Sequence, residues 1–188
     1  LNNFDDFCSI SGVEGYSLTN KEDAMKIITS QLIKPGFRIL STGQRLLREE
    51  TLELDVIYQE PNCKFFQYLE GSNVTVVCFN QALQYGLELC NLMKNTSIFS
   101  SLFSINSHLY ANYQFIFDDI NITKNLVIID DSKSRNRLSD KFLSEVLSQC
   151  KIKRYKMISR QIQADDYFPR KDRLEIDYLA TIKDIFNN

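Results

Sequence analysis

An α/β fold is what the sequence predicts: a three-layer domain with a mostly parallel sheet flanked by helices, preceded by a partial α/β segment. From residue 73 to residue 188, short apolar runs alternate with amphipathic stretches of helical period. The first run, Val74-Thr75-Val76-Val77-Cys78-Phe79, is β-branched and nearly continuous, as expected of a strand buried on both faces. A third observation limits the chemistry. No glycine follows Gly86, so the turns at the strand ends lack the residue that lets backbone approach a phosphate.

Taken in order, Gly12 and Gly15 bracket a turn before a short strand at Tyr16-Ser17-Leu18. Asn20 is placed to cap a helix whose first turn carries Glu22 and Asp23, and Ala24, Ile28 and Leu32 define its expected buried face. Pro35-Gly36 ends that helix and leads into a strand over 37–40. A strand, helix and strand cannot cover their own faces, so this unit is expected to be the tail of a larger sheet or to pack on another unit. Residues 44–67, with Arg45, Arg48, Glu49, Glu50 and Pro61-Asn62, keep no steady period and read as a connector. Phe65, Phe66 and Tyr68 then form an aromatic run, read as a linker cluster packed on the next domain, with a partner-docking patch as the alternative.

After the strand at Val74, a helix over 81–94 presents Ala82, Gly86, Leu89 and Met93, widened by Leu83, Leu87 and Cys90, with Gly86 suited to close helix–strand contact. A strand over 98–105, a helix over 113–120 and a strand over 126–129 ending in Asp130-Asp131 follow. Ser139 is placed as the N-cap of a helix burying Phe142, Leu143, Val146, Leu147 and Cys150. A strand over 155–158 and a helix over 174–186 complete the pattern. The expected division is 1–48, a linker over 49–70, and 71–188.

With 22 basic and 24 acidic residues the net charge is -2, which offers no field for nucleic acid or an anionic membrane. No apolar run approaches the roughly 20 residues that span a bilayer, and Leu1-Asn2-Asn3-Phe4-Asp5-Asp6 lacks the regions of a signal peptide, so the chain reads as cytoplasmic. Cys8, Cys63, Cys78, Cys90 and Cys150 read as reduced core thiols. His108 has no second histidine or cysteine at metal-ligand spacing and is expected on a loop or the surface. Asp130 and Asp131 end a strand where α/β sheets often hold ligands, but Lys133, Arg135 and Arg137 in the same turn can neutralise them, giving a solvated, self-paired loop. Lys151, Lys153, Arg154 and Lys156 fit a lysine-protected edge strand, and Asp165-Asp166 before Tyr167-Phe168-Pro169 fits a turn. No residue is nominated as catalytic, cofactor-binding or metal-ligating.

The run Leu69-Glu70-Gly71-Ser72-Asn73-Val74-Thr75-Val76-Val77, followed by Ala82-Leu83-Gln84-Tyr85-Gly86-Leu87-Glu88-Leu89, resembles the start of the C-terminal domain of transketolase-like thiamine diphosphate enzymes, especially 2-oxo acid dehydrogenase beta subunits. The apolar strand ending in Asp130-Asp131 resembles the family's acid-ending strand. Tyr167-Phe168-Pro169 and Leu174-Glu175-Ile176-Asp177-Tyr178-Leu179 resemble its proline-bearing loop and last helix. Phe4-Asp5-Asp6-Phe7, Ile10-Ser11-Gly12-Val13 and Asp23-Ala24 look like the end of its pyrimidine-binding domain, and Gln44-Arg45-Leu46-Leu47-Arg48 like the exit into its linker. The chain departs from the pattern at Lys133-Ser134-Arg135-Asn136-Arg137-Leu138, where the family has a glycine-rich turn, and at Ser41-Thr42-Gly43, where sugar-phosphate members carry an arginine. The resemblance implies a C-terminal, non-catalytic portion serving dimer assembly and active-site shaping, inactive alone. Thiamine diphosphate and magnesium would be bound elsewhere in the complete enzyme and not by this chain alone. The implied partner is a second copy or the enzyme's remaining domains or subunit. A divergent protein-binding module of the same fold is the alternative.

Overall fold

The computed structural model describes residues 3–43, 54–109, 111–160 and 173–186. The first part runs α1 (Phe4–Ser11), β1 (Glu14–Leu18), α2 (Lys21–Leu32) and β2 (Arg38–Thr42). The second runs β3 (Tyr58–Gln59), β4 (Phe65–Leu69), β5 (Val74–Phe79), α3 (Leu83–Lys94), β6 (Ser100–Ile105), α4 (Gln114–Thr123), β7 (Asn125–Asp130), α5 (Leu138–Gln149), β8 (Arg154–Ser159) and α6 (Tyr178–Phe186).

Among the described residues, six strands form one sheet in the order β3-β4-β6-β5-β7-β8. β5 pairs in parallel with β6 and β7, and β7 with β8; β4 and β3 extend the other edge antiparallel. The period of two sorts the side chains. Val74, Val76 and Cys78 of β5 meet the layer of α3 and α6, and Val77 and Phe79 meet that of α4 and α5. Each such buried aliphatic or aromatic side chain contributes about 1.5–3 kcal/mol, so the two apolar layers supply most of the cohesion. Gly86 lets α3 lie close to the sheet: a Cβ there would come within 2.8 Å of Leu102 Cδ1 and nearer still to Cys78 Sγ.

β1 and β2 form a separate parallel pair, with Glu14 opposite Arg38 and Leu18 opposite Thr42. Two strands alone are marginal in water. Here the other edge of β1 is stitched to the chain leaving β6: Tyr16 bridges Ser107, Ser17 N–H donates to Asn106 O at 2.7 Å, and His108 N–H donates to Gly15 O at 2.9 Å. α1 precedes them and ends where Gly12 takes a left-handed φ of 63°.

Several expectations change. The buried face of α2 is Asp23, Ile27 and Gln31, while Leu32 is exposed. The capping box between Asn20 and Asp23 turns Asp23 inward, which rotates the face by one residue from Ala24, Ile28 and Leu32. The connector contributes β3 and β4 to the main sheet, and Phe65, Phe66 and Tyr68 are buried there, so the aromatic run is not a docking patch. Ser139 does not cap α5, which begins at Leu138; Leu147 faces outward, and Leu143 and Cys150 are only partly buried. The last helix begins at Tyr178 rather than residue 174. β8 is an edge strand as expected, with Lys156 paired to Asp184 at 2.6 Å. Arg45, Asp165, Asp166 and Tyr167-Phe168-Pro169 lie outside the described residues. Among the described residues no helix is long and apolar enough to cross a membrane.

Gly86→Val is expected to lower the unfolding free energy by about 1–3 kcal/mol through overpacking, read as a lower urea midpoint at unchanged slope.

Candidate functional site

The chain leaves β5 for α3 on one face of the sheet and leaves the adjacent β7 for α5 on the other. Such divergence opens a crevice at the carboxyl ends of the strands, where α/β folds hold ligands. Asn80 stands at the end of β5 in a left-handed conformation, φ 57°, and Asp130 ends β7. Asn80 Nδ2 donates to Asp130 Oδ1 at 2.9 Å and to Asp5 Oδ2, from α1, at 3.3 Å. Asp130 also accepts the Ser132 N–H at 2.8 Å and the Ser139 hydroxyl. Burial, followed by the nearby Asp5 charge, pushes the Asp130 carboxyl above the usual carboxylate range.

The second oxygen of Asp5 meets His108 Nδ1, and His108 Nε2 lies 2.9 Å from Ser17 Oγ. The Phe4 and His108 rings pack edge to face at a centroid distance of 4.3 Å. His108 is thus no surface histidine: its side chain is 5% exposed. An Asp-His-Ser order is the arrangement of acyl-transfer enzymes. Here Ser17 is 2% exposed and its backbone N–H is bonded to Asn106 O, so no substrate carbonyl can reach the hydroxyl. The chain of groups is a structural clamp.

Asp6 fills the next position. Its carboxylate accepts the backbone N–H groups of Arg135 and Asn136, each at 3.0 Å, and its own N–H donates to Ser134 Oγ at 3.2 Å. Asp131 pairs with Arg160 at 2.6 Å, and Arg137 with Asp140. The turn after β7 is therefore not the solvated loop expected: Asp130, Asp131, Ser132 and Ser134 are buried under α1 and the chain after β8.

A second polar centre ties α2 to the sheet. Asp23 accepts from the backbone and hydroxyl of Thr19, from Asn20 N–H, from Asn106 Nδ2 at 3.1 Å and from Tyr68 Oη at 3.0 Å. Burial raises its carboxyl, and the hydrogen bonds oppose the rise. The same burial and the Asp23 charge push the Tyr68 phenol up.

The sequence marks Asp23 only as a first-turn acid of its helix and Asp5 only as part of a family-like run, and nothing in it marks Asn80 or Asn106 as their partners. The one available cue was a polar residue closing each apolar run, Asn80 after Phe79 and Asn106 after Ile105. Among the described residues no cluster of histidine, cysteine and acidic groups could hold a metal ion. An open hollow of about 770 Å³ beside Leu92, Ile176 and Tyr178 lies apart from this network.

No protein-family model matches the sequence, and no curated protein matches it. Solved structures do match the fold. A split-gene transketolase in an inactive β4 tetramer superposes with a TM-score of 0.58 at 14% identity, over 82% of this chain and 51% of that one. Transketolase from Campylobacter jejuni gives 0.53 at 8% identity over 79% of this chain and 22% of that one. The R525L transketolase mutant from Pichia stipitis gives 0.52 at 10% identity over 79% and 21%. The chain thus spans from about half to a fifth of the length of these proteins, and its fold is that of a C-terminal transketolase-like portion.

His108→Ala strands the Asp5 carboxylate and is expected to cost roughly 3 kcal/mol of stability. Ser17→Ala, which removes one neutral partner, is expected to cost only about 1 kcal/mol. Equal urea midpoints for the two variants would contradict the clamp.

Proposed function

We propose that this chain is the C-terminal, non-catalytic portion of a transketolase-like thiamine diphosphate enzyme, serving assembly and shaping the approach to an active site completed elsewhere. The observation that carries this reading is the closed crevice. Where an α/β fold would receive a ligand, Asp5 and Asp6 of the same chain occupy Asn80 Nδ2 and the backbone N–H groups of Arg135 and Asn136. The described residues do not fit a diphosphate with its magnesium. The nearest anion-binding amides are already satisfied by a carboxylate, and the strand-end acids are bonded inward. The cofactor, which supplies the carbanion chemistry in such enzymes, would belong to other domains.

The division into a tail of a pyrimidine-binding-like unit over 1–48, a linker over 49–70 and a C-terminal domain over 71–188 belongs to the same proposal, with β3 and β4 of the linker stretch paired into the sheet of the C-terminal domain, as does a cytoplasmic setting. Its assembly role draws on the first segment. β1 and β2 form a separate two-stranded pair, and Phe7, Ile10, Met25, Leu32, Ile33 and Phe37 around them are all more than half exposed. We take these exposed apolar side chains as the contact surface of the assembly. The reaction class, ketol transfer or 2-oxo acid decarboxylation, would be set by the parts that hold the cofactor.

The isolated chain is expected to bind no thiamine diphosphate with magnesium in a calorimetric titration and to self-associate in light scattering at high concentration. Micromolar cofactor binding would overturn the non-catalytic assignment, and a clean monomer would count against assembly through a second copy.

A further inference from the structure

We propose that α1 is a displaceable plug over the strand-end crevice, held by the carboxylate pair Asp5 and Asp130, and that its grip loosens as the pH rises. The helix has little apolar anchorage. Its buried residues are Asp5 and Cys8, while Phe7 and Ile10 face outward. Besides Cys8 and the Phe4 ring, which lie against Gly15 and His108, its contacts are polar: Asp5 on Asn80 and His108, and Asp6 on the amides of the turn after β7. Short elements with few buried apolar contacts are the ones that open while the rest of a fold stays closed.

The pair is set against itself. One amide, Asn80 Nδ2, serves both carboxylates, at 3.3 Å to Asp5 and 2.9 Å to Asp130. The other groups facing them are His108 on Asp5 Oδ1 and Leu138 N–H on Asp5 Oδ2, with Ser132 N–H and Ser139 Oγ on Asp130. Asp130 is completely buried, and burial together with the Asp5 charge raises its carboxyl above the ordinary value. When α1 leaves, the Asp5 charge leaves and water enters. The docked form therefore holds a proton that the open form gives up. The contribution of Asp130 to docking is fully present below the ordinary carboxylate value of about 3.9 and is lost as the pH climbs from there through the raised value. Opening would uncover Asn80, Asp130 and the N-terminus of α5 while leaving the sheet intact.

The inference is independent of the assembly reading and is tested on the full chain by hydrogen exchange between pH 4 and pH 8, corrected for intrinsic rates. Protection of the α1 amides, and of Arg135 and Asn136, is expected to fall about tenfold for each unit separating the docked and open Asp130 values. Protection of β5 should hold steady. Asp130→Asn, which cannot titrate, should give α1 protection with a shallower pH dependence than the wild type. Asp5→Asn, which removes the neighbouring charge but keeps the helix, should give a shallower slope. A flat wild-type profile, an unchanged slope in Asp130→Asn, or loss of β5 protection in step with α1 would each overturn the proposal.

Discussion

The Asp5 carboxylate is the group on which the architecture turns. A buried carboxylate costs several kcal/mol unless its oxygens are paired, and its partners here come from separate parts of the chain: Asn80 after β5, His108 after β6 and the first amide of α5. Each of those groups sits where it does because a parallel strand ends there. The ion therefore makes the docking of α1 conditional on the sheet being correctly assembled. Asp23 repeats the device beneath α2, drawing in Tyr68 from β4 and Asn106 from the chain after β6. These polar anchors act together with the apolar core that Tyr16 and Ile27 share with the main sheet to set how the first segment sits.

The strands and helices of residues 74–159 were legible because a parallel sheet covered on both faces writes itself as apolar runs and 3.6-residue periods. Gly86 was readable for the same reason, since a glycine in the middle of an apolar helical stripe has few uses other than close approach. β3 and β4 were missed because an antiparallel edge interrupted by Pro61-Asn62 and rich in charge leaves no clean period. The site was mostly illegible. Asp130 was found by position, as the residue closing a strand, but His108 looked like a solitary histidine because its partners Asp5 and Ser17 lie about 90 to 100 residues away. Hydrogen bonding at that range leaves no local pattern.

The absence of glycine in the strand-end turns takes on a structural sense. Glycine would be needed if a ligand's phosphate approached the backbone; a carboxylate on a short side chain such as Asp6 reaches the Arg135 and Asn136 amides without it. Aspartates of the chain itself stand where an external anion would sit in a ligand-binding α/β domain. That substitution fits the assembly role proposed above, and it places carboxylates of the chain on the amides of a turn bearing Lys133, Arg135 and Arg137.

The long reach of the anchors also orders events in time. Ser17 meets His108 across 91 positions, and Asp6 meets Asn136 across 130. During synthesis at about 5–20 residues per second, the first segment would wait on the order of ten seconds for its docking site to exist. Its exposed Phe7, Ile10, Ile33 and Phe37 are unshielded by that site throughout the interval. Closing such distant contacts is slow relative to forming the local strand–helix pairs of the main sheet. Of the described segments, the one that precedes the main sheet in the chain is the last that can dock.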